Sequence, residues 1–146
     1  MSLTPLAGAR VVCESRDWKA SNLEIQKLLY LAHMLYLGQS QKPLIVGGFE
    51  AWDYGPVIPS LYHTLKMFGS SPVRDVFGRE ARGPAEEEEF IKRVSQFLKD
   101  QSPGQLIELT HRPKGAWAQS YRAGVRGTPI PAQAIISEYR SHVPGA

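Results

Sequence analysis

Apolar residues recur every three or four positions between residues 21 and 38, which is the clearest periodic pattern in the chain. Just before it, Ser21 and Glu24 have the spacing of a capping box, and Gly38 marks the expected end of the helix. The pattern therefore predicts an amphipathic helix of about 16 residues at the centre of the fold. The apolar residues that carry it are Ile25, Leu28, Leu29, Ala32, Leu35 and Tyr36.

Shorter apolar runs, each bounded by Gly, Pro or a capping residue, predict the remaining helices. The four acids Glu86–Glu89 suit the positive N-terminal end of a helix dipole, and Phe90, Val94, Phe97 and Leu98 form the apolar stripe behind them. The other helices are expected over residues 9–17, from Pro59 to Gly69, from Ser102 to His111, from Gly115 to Tyr121, and after Pro131.

Two segments without helical periodicity carry other expectations. Gly47 and Gly48 lie between Leu44–Val46 and Phe49–Trp52, a pattern that favours a tight turn within a small two-stranded ribbon. Residues 70–84 contain two prolines, two glycines and mixed charges, and are expected to form an exposed loop that is mobile or functional. The whole pattern predicts a single compact all-α domain of six to seven helices over residues 1–146, with its core at about 20–140.

The net charge of +3 is unevenly distributed. Residues 1–109 hold 12 basic and 13 acidic residues, a net of −1, whereas residues 110–146 hold five basic residues and one acid, a net of +4. This basic quarter either attracts an anionic partner or is an ordinary solvated face. The single cysteine excludes an intramolecular disulfide, and neither a signal peptide nor a transmembrane run is evident, so we expect a cytoplasmic protein without a membrane partner.

Signatures of catalysis and cofactor binding are missing from the sequence. The four histidines lack metal-ligand spacing, and no nucleophile elbow or phosphate-binding glycine loop occurs, so we expect no enzyme activity, no cofactor and no metal. Thr110 and His111, followed by Arg112, Lys114 and Trp117, fit either a small anion pocket or a helix end that favours nearby cations.

The most specific segment runs from Glu50 to Pro59 and places Trp52 and Tyr54 directly before Gly55 and Pro56. Glycine permits backbone angles that tyrosine avoids, and proline fixes its own φ, so these residues predict a rigid aromatic elbow. Trp52 and Tyr54 are candidates for either the core or an interface, because aromatic side chains dominate both.

Several motifs in order resemble the Panacea-domain family of bacterial antitoxins, which includes phage-associated GepA-type proteins and the SocA-type antitoxin. They are Lys27-Leu28-Leu29-Tyr30, Glu50-Ala51-Trp52, Tyr54-Gly55-Pro56-Val57, Pro59 with Tyr62, Leu109-Thr110-His111, and Trp117. The resemblance covers about residues 20–140, and Leu31 departs from it, since the family often has a second aromatic residue there.

The resemblance implies a mostly helical domain that neutralises a toxin encoded by a neighbouring gene. The SocA-type member delivers its toxin to a protease, so a protease is a second implied partner, whereas no enzymatic activity or cofactor is implied. Under this hypothesis the motif residues are a framework or a partner surface. They are Lys27, Tyr30, Glu50, Trp52, Tyr54, Gly55, Pro56, Tyr62, Thr110, His111 and Trp117.

Two alternatives remain open from the sequence. One is a transcriptional regulator that binds nucleic acid through the basic quarter. Residues 132–142 offer only Gln133, Arg140 and His142 for base contacts, which argues against a nucleic-acid partner. The other is a small enzyme with a site near His111, which would require a deep pocket and strongly shifted titrations there.

Overall fold

A long helix, α2 (Asn22–Ser40), lies at the centre of the protein, which a computed structural model describes over residues 2–142. Its capping box is formed as predicted: the Glu24 amide donates to the Ser21 hydroxyl at 3.2 Å, and the Ser21 amide donates to the Glu24 carboxylate at 3.1 Å. Helix α2 has little solvent-facing surface, because other helices and a strand pack on it: α1 (Pro5–Ser15), α4 (Ala85–Phe97), α5 (Pro103–Thr110), α7 (Ala132–His142) and β2 (Gly55–Val57). The predicted central helix is confirmed.

Gly38 does not end α2, contrary to the sequence prediction. The ring of Tyr139 on α7 lies against Gly38, where any Cβ would collide with it, so the glycine serves close packing between the two helices. The helix ends at Gln41, which adopts a left-handed conformation with φ 62° and donates its amide to the Leu37 carbonyl. This C-cap comes two residues before Pro43, which could not continue the helix.

The other predicted helices are present with shifted ends. They are α1 (Pro5–Ser15), α3 (Pro59–Leu65) with a 3₁₀ turn at Lys66–Phe68, α4 (Ala85–Phe97), α5 (Pro103–Thr110), α6 (Ala116–Ser120) and α7 (Ala132–His142). Helix α1 begins earlier than expected because Thr4 caps it, accepting from the Ala7 amide at 3.1 Å. Ser102 and Gln105 form a second capping box at the start of α5.

The sheet differs from the predicted ribbon in position and size. Strand β1 (Glu50–Trp52) pairs antiparallel with β2 (Gly55–Val57) on one side and with β3 (Thr128–Pro129) on the other. The turn at 47–48 does not connect two strands, because the backbone of Leu44 and Val46 is hydrogen-bonded to Leu3 near the N-terminus. The predicted aromatic elbow contains the hairpin turn, which consists of Asp53 and Tyr54 between β1 and β2.

Residues 70–84 form the predicted loop, in which most residues are exposed, but two buried apolar side chains and several hydrogen bonds anchor it to the body of the protein. Val73 and Phe77 are buried, and the Val73 amide donates to the Ala20 carbonyl at 2.8 Å. Arg10 on α1 donates to the Glu80 carbonyl, and the Thr4 hydroxyl donates to the Glu80 carboxylate. The two buried apolar side chains lie among mostly polar residues in the sequence, so the composition of the segment did not indicate that it is anchored.

Phe97 is 85% exposed and does not belong to the apolar stripe of α4, where Ile91 is buried instead. The C-terminal ends of α1 and α4 meet through Arg16, which donates to the carbonyl oxygens of Ser95 and Leu98. That contact fixes which side of α4 faces the core and leaves Phe97 on the other side.

The predicted fold class is confirmed in outline, since the described residues form one compact, mostly helical domain with seven α-helices. The β structure is slightly larger than predicted, with three short strands rather than two. None of the described helices is long and apolar enough to cross a membrane.

Candidate partner-binding site

An open groove of about 680 Å³ lies where the β1–β2 hairpin meets the start of α2 and the loop before β3. We call it the aromatic groove. Its lining residues are Asn22, Leu23, Gln26, Lys27, Trp52, Asp53, Tyr54, Val57, Tyr62, Lys66, Gly69, Ser70, Gly124, Val125 and Arg126. Four residues predicted from the sequence, Lys27, Trp52, Tyr54 and Tyr62, are therefore brought together in one concave surface.

Trp52 forms the wall of the aromatic groove. Its ring packs edge-on against Tyr62 at 4.9 Å between centroids, and its indole N–H donates to Glu50 at 3.0 Å. The guanidinium of Arg126 lies 4.3 Å from the Trp52 ring centroid, in a cation–π contact that holds the cation beside the groove. Trp52 is thus fixed from three sides, whereas Tyr54 at the rim is 69% exposed.

Lys27 lies at the floor of the aromatic groove and is only 1% exposed. Its ammonium group donates to the Pro56 carbonyl at 3.0 Å, which joins α2 to the Gly-Pro elbow. Burial disfavours the charged form and lowers the pKa of Lys27 to about 7. No carboxylate among the described residues forms an ion pair with it.

Two amide side chains beside Lys27 join α2 to the hairpin. Gln26 accepts from the Ile58 amide at 2.8 Å and donates to Asn22 at 3.2 Å, one helical turn earlier. Both side chains are buried. The sequence analysis did not identify these two residues. Two polar residues four positions apart within an otherwise apolar helix could have indicated a buried hydrogen-bonded pair.

A stack of rings supports the hairpin from behind. Trp117 on α6 lies parallel to His111, with 3.8 Å between the centroids, and its indole N–H donates to the Trp52 carbonyl at 2.6 Å. The Tyr121 ring also stacks on Trp117, with 4.6 Å between the ring centroids, and the Tyr121 hydroxyl donates to Asp53. These contacts make the predicted His111 and Trp117 supports of the elbow rather than parts of the aromatic groove.

The His111 ring is half-buried beside the elbow. Burial is the main cause that lowers its pKa, the positive charge of Lys27 lowers it further, and a hydrogen bond with the Tyr54 backbone opposes both. Its Nε2 atom is buried without a hydrogen-bond partner among the described residues. Thr110 beside it is also buried and donates to carbonyl groups of its own helix.

Tyr30 belongs to a different part of the protein. It is buried on α2 beneath α7, where its hydroxyl donates to Glu138 at 2.7 Å and its ring meets Phe49 edge-on. Burial and the nearby carboxylate raise its pKa. Tyr30 therefore couples two helices and does not reach the aromatic groove.

Gly55 is required for the elbow, because its φ of +118° lies in a region that side chains rarely adopt. A Cβ here would also lie 3.1 Å from both the Lys27 amine and the Thr110 hydroxyl. We expect Gly55→Val to lower the free energy of unfolding by at least about 2 kcal/mol, from backbone strain and crowding together.

Urea denaturation followed by circular dichroism measures this loss. Gly78→Val is the matched control, since its position has open space and no positive φ, and it should change the unfolding free energy by less than about 0.5 kcal/mol. Equal stability of the two variants would show that the elbow tolerates a side chain.

The protein is a mostly helical domain with an open groove, an aromatic wall and an exposed tyrosine at the rim of that groove. The described residues contain no cluster of three or more side chains suited to a metal ion. Residues 25–118 match the family described as antitoxin SocA-like, Panacea domain, and the chain belongs to this family.

A relative with a curated name extends this result. The chain is 31% identical over 115 residues to the antitoxin SocA of Caulobacter vibrioides (strain NA1000 / CB15N). The match covers 69% of this chain and 60% of the relative, so the chain spans less than two thirds of that protein. No solved structure matches the chain significantly.

Proposed function

We propose that this protein is an antitoxin that neutralises a toxin from a neighbouring gene by binding it directly. Membership of the antitoxin SocA-like family is the observation that carries this proposal. The action is binding rather than catalysis, takes place in the cytoplasm, and needs no cofactor. Delivery of the bound toxin to a protease is a second mode, suggested by the resemblance to the SocA-type antitoxin.

The aromatic groove is the proposed contact surface. Tyr54 and Val125 expose apolar area at its rim, at 69% and 54%, while Trp52 behind them is held rigidly. Rigid aromatic residues with exposed neighbours are typical anchors of protein interfaces, because little side-chain freedom is lost on binding. Of the segment 70–84 only Ser70 lines the aromatic groove, and residues 71–84 are not part of this proposal, since Glu80 holds them along α1.

Co-expression tests the function and the surface separately. Expression of the neighbouring gene alone should arrest growth, and co-expression of this protein should restore it. Tyr54→Ala should weaken the rescue by at least tenfold in plating efficiency, with an unchanged circular dichroism spectrum. Phe97→Ala is the matched control, because Phe97 is an exposed aromatic residue outside the aromatic groove.

The outcomes distinguish the parts of the proposal. A harmless neighbour with no co-purifying partner contradicts the antitoxin function. Full rescue by Tyr54→Ala leaves the function intact and removes the aromatic groove as its surface. The half-life of the toxin, measured with and without this protein, separates the two modes: a shortened half-life indicates delivery to a protease, and an unchanged one indicates occlusion.

Neither alternative from the sequence is favoured by the structure. Helix α7 holds only Arg140 of the five basic residues in the basic quarter, buries Ile135, Ile136 and Tyr139 against the core, and presents few side chains that read bases. The enzyme alternative required a pocket at His111, but that ring is covered by Trp117 and does not line the aromatic groove.

A further inference from the structure

The aromatic groove has an unbalanced charge. Lys27, Lys66 and Arg126 line it, and Asp53 is its only acidic lining residue. Asp53 already accepts the Tyr121 hydroxyl at 2.6 Å. None of the three basic residues forms an ion pair with a carboxylate among residues 2–142. A concave surface with excess positive charge attracts a negatively charged group.

Lys27 is the unusual member of this set. A buried ammonium group is costly unless it is paired, and the Pro56 carbonyl is the one acceptor it meets among the described residues, although an ammonium group has three N–H donors. An anionic group that entered over Lys27 would supply the missing partner. The family function does not explain why a lysine, rather than an apolar residue, occupies this floor.

Arg126 is placed to take part in the same contact. Its guanidinium is held over the Trp52 ring, yet none of its N–H groups donates to another described residue. Gly124 and Gly127, both with positive φ, shape the loop that brings it there. A guanidinium fixed on an aromatic face keeps its edge available for a carboxylate.

We propose that an acidic side chain of the protein partner enters the aromatic groove and pairs with Lys27 at its floor and with Arg126 and Lys66 at its rim. This inference rests on the proposed function and names the partner chemistry of the same surface. The exposed apolar rim formed by Tyr54 and Val125 favours a protein segment with an acid beside apolar residues over a free small anion.

The proposal has a consequence for pH dependence. A partner carboxylate would stabilise the protonated amine, so binding would take up a proton at Lys27, whose pKa is about 7 in the free protein. Affinity should be fully present below pH 7 and fall about tenfold or more between pH 7 and 9. The other charged or ionisable groups at this site are Asp53, Tyr54, Tyr62, Lys66, Arg126 and, behind Lys27, His111.

The test uses this protein and the purified product of the toxic neighbouring gene, with the dissociation constant measured by titration calorimetry. Lys27→Met and Arg126→Met should each weaken binding at least about tenfold at pH 6.5. Lys27→Met should also remove the pH dependence between pH 7 and 9. Lys42→Met is the control, because it removes the same charge at an exposed site outside the aromatic groove.

Carboxylate footprinting then identifies the acid on the partner. Amidation with carbodiimide and glycinamide, read by mass spectrometry, should find one Asp or Glu of the partner that is protected only in the complex. Changing that residue to Asn or Gln should weaken binding to the wild type but not to Lys27→Met, as expected for residues that interact directly.

Each outcome decides the proposal. A tight complex that is insensitive to Lys27→Met and Arg126→Met overturns it while the antitoxin function stands. Displacement of the partner by about 1 mM phosphate or acetate, with no protected carboxylate, shows a small-anion site and also overturns it. A harmless neighbour that does not bind removes the proposed function, and this inference with it.

Discussion

Leu28→Asp should leave the domain unfolded at 25 °C. Leu28 is 1% exposed in the middle of α2, the helix on which most other elements pack. An aspartate there would lose the apolar contacts and would have to bury a charge or bind a proton, at a cost of several kcal/mol. Domains of this size have about 5–15 kcal/mol of stability in total, so the loss removes most or all of it.

Far-ultraviolet circular dichroism and a urea titration measure the effect. Gln39→Asp introduces the same residue at an exposed position of the same helix, near its C-terminal end, and should cost less than about 1 kcal/mol. A Leu28→Asp protein with a native spectrum and an unchanged denaturation midpoint would contradict the central placement of α2.

Glu138→Ala should lower the unfolding free energy by about 3–5 kcal/mol. One carboxylate oxygen of Glu138 accepts from the Tyr30 hydroxyl at 2.7 Å and from the Ala116 amide at 3.0 Å. The residue is 2% exposed, so alanine would leave both donors buried and unpaired, each at about 1–3 kcal/mol, and would open a cavity.

Thermal and urea unfolding of a small variant set assign this loss. Glu138→Gln keeps an acceptor oxygen in a side chain of similar size. Its loss of unfolding free energy should therefore be less than half of the loss in Glu138→Ala. Arg140→Ala, an exposed change on the same helix, should have little effect. In the double variant with Tyr30→Phe, the losses should not add, since the two residues interact directly. Additive losses would show that the hydrogen bond does not couple α7 to α2.

Elements with local signals were predicted well from the sequence. The capping boxes at Ser21 and Ser102 place the starts of α2 and α5 because the capping bonds join residues three apart. A tight elbow at Gly55 and Pro56 was also predicted from adjacent residues, and the φ of +118° at Gly55 is of the kind that glycine permits. Each of these predictions depends on residues within a few positions of one another.

Features that depend on distant residues were not predictable in the same way. The partner strand of β1 comes from residues 128–129, and the position of Gly38 inside α2 is explained only by Tyr139 on α7. Arg126 reaches Trp52 from 74 positions along the chain and gave no local sign of a cation–π contact. The resemblance motif includes Lys27, but the burial of Lys27 and its hydrogen bond to Pro56 become visible only in the folded structure.

The family match and the folded body have different extents. The match ends at residues 25 and 118, but α1, β3 and α7 lie outside it and complete the interior: Ala9 and Val12 have no exposed area, and Tyr139 fills the space above Gly38. The segment that matches the family is therefore smaller than the folded body. A fragment cut to residues 25–118 would lack α1 and α7, which cover α2, and would lack β3, so that one edge of β1 would be unpaired.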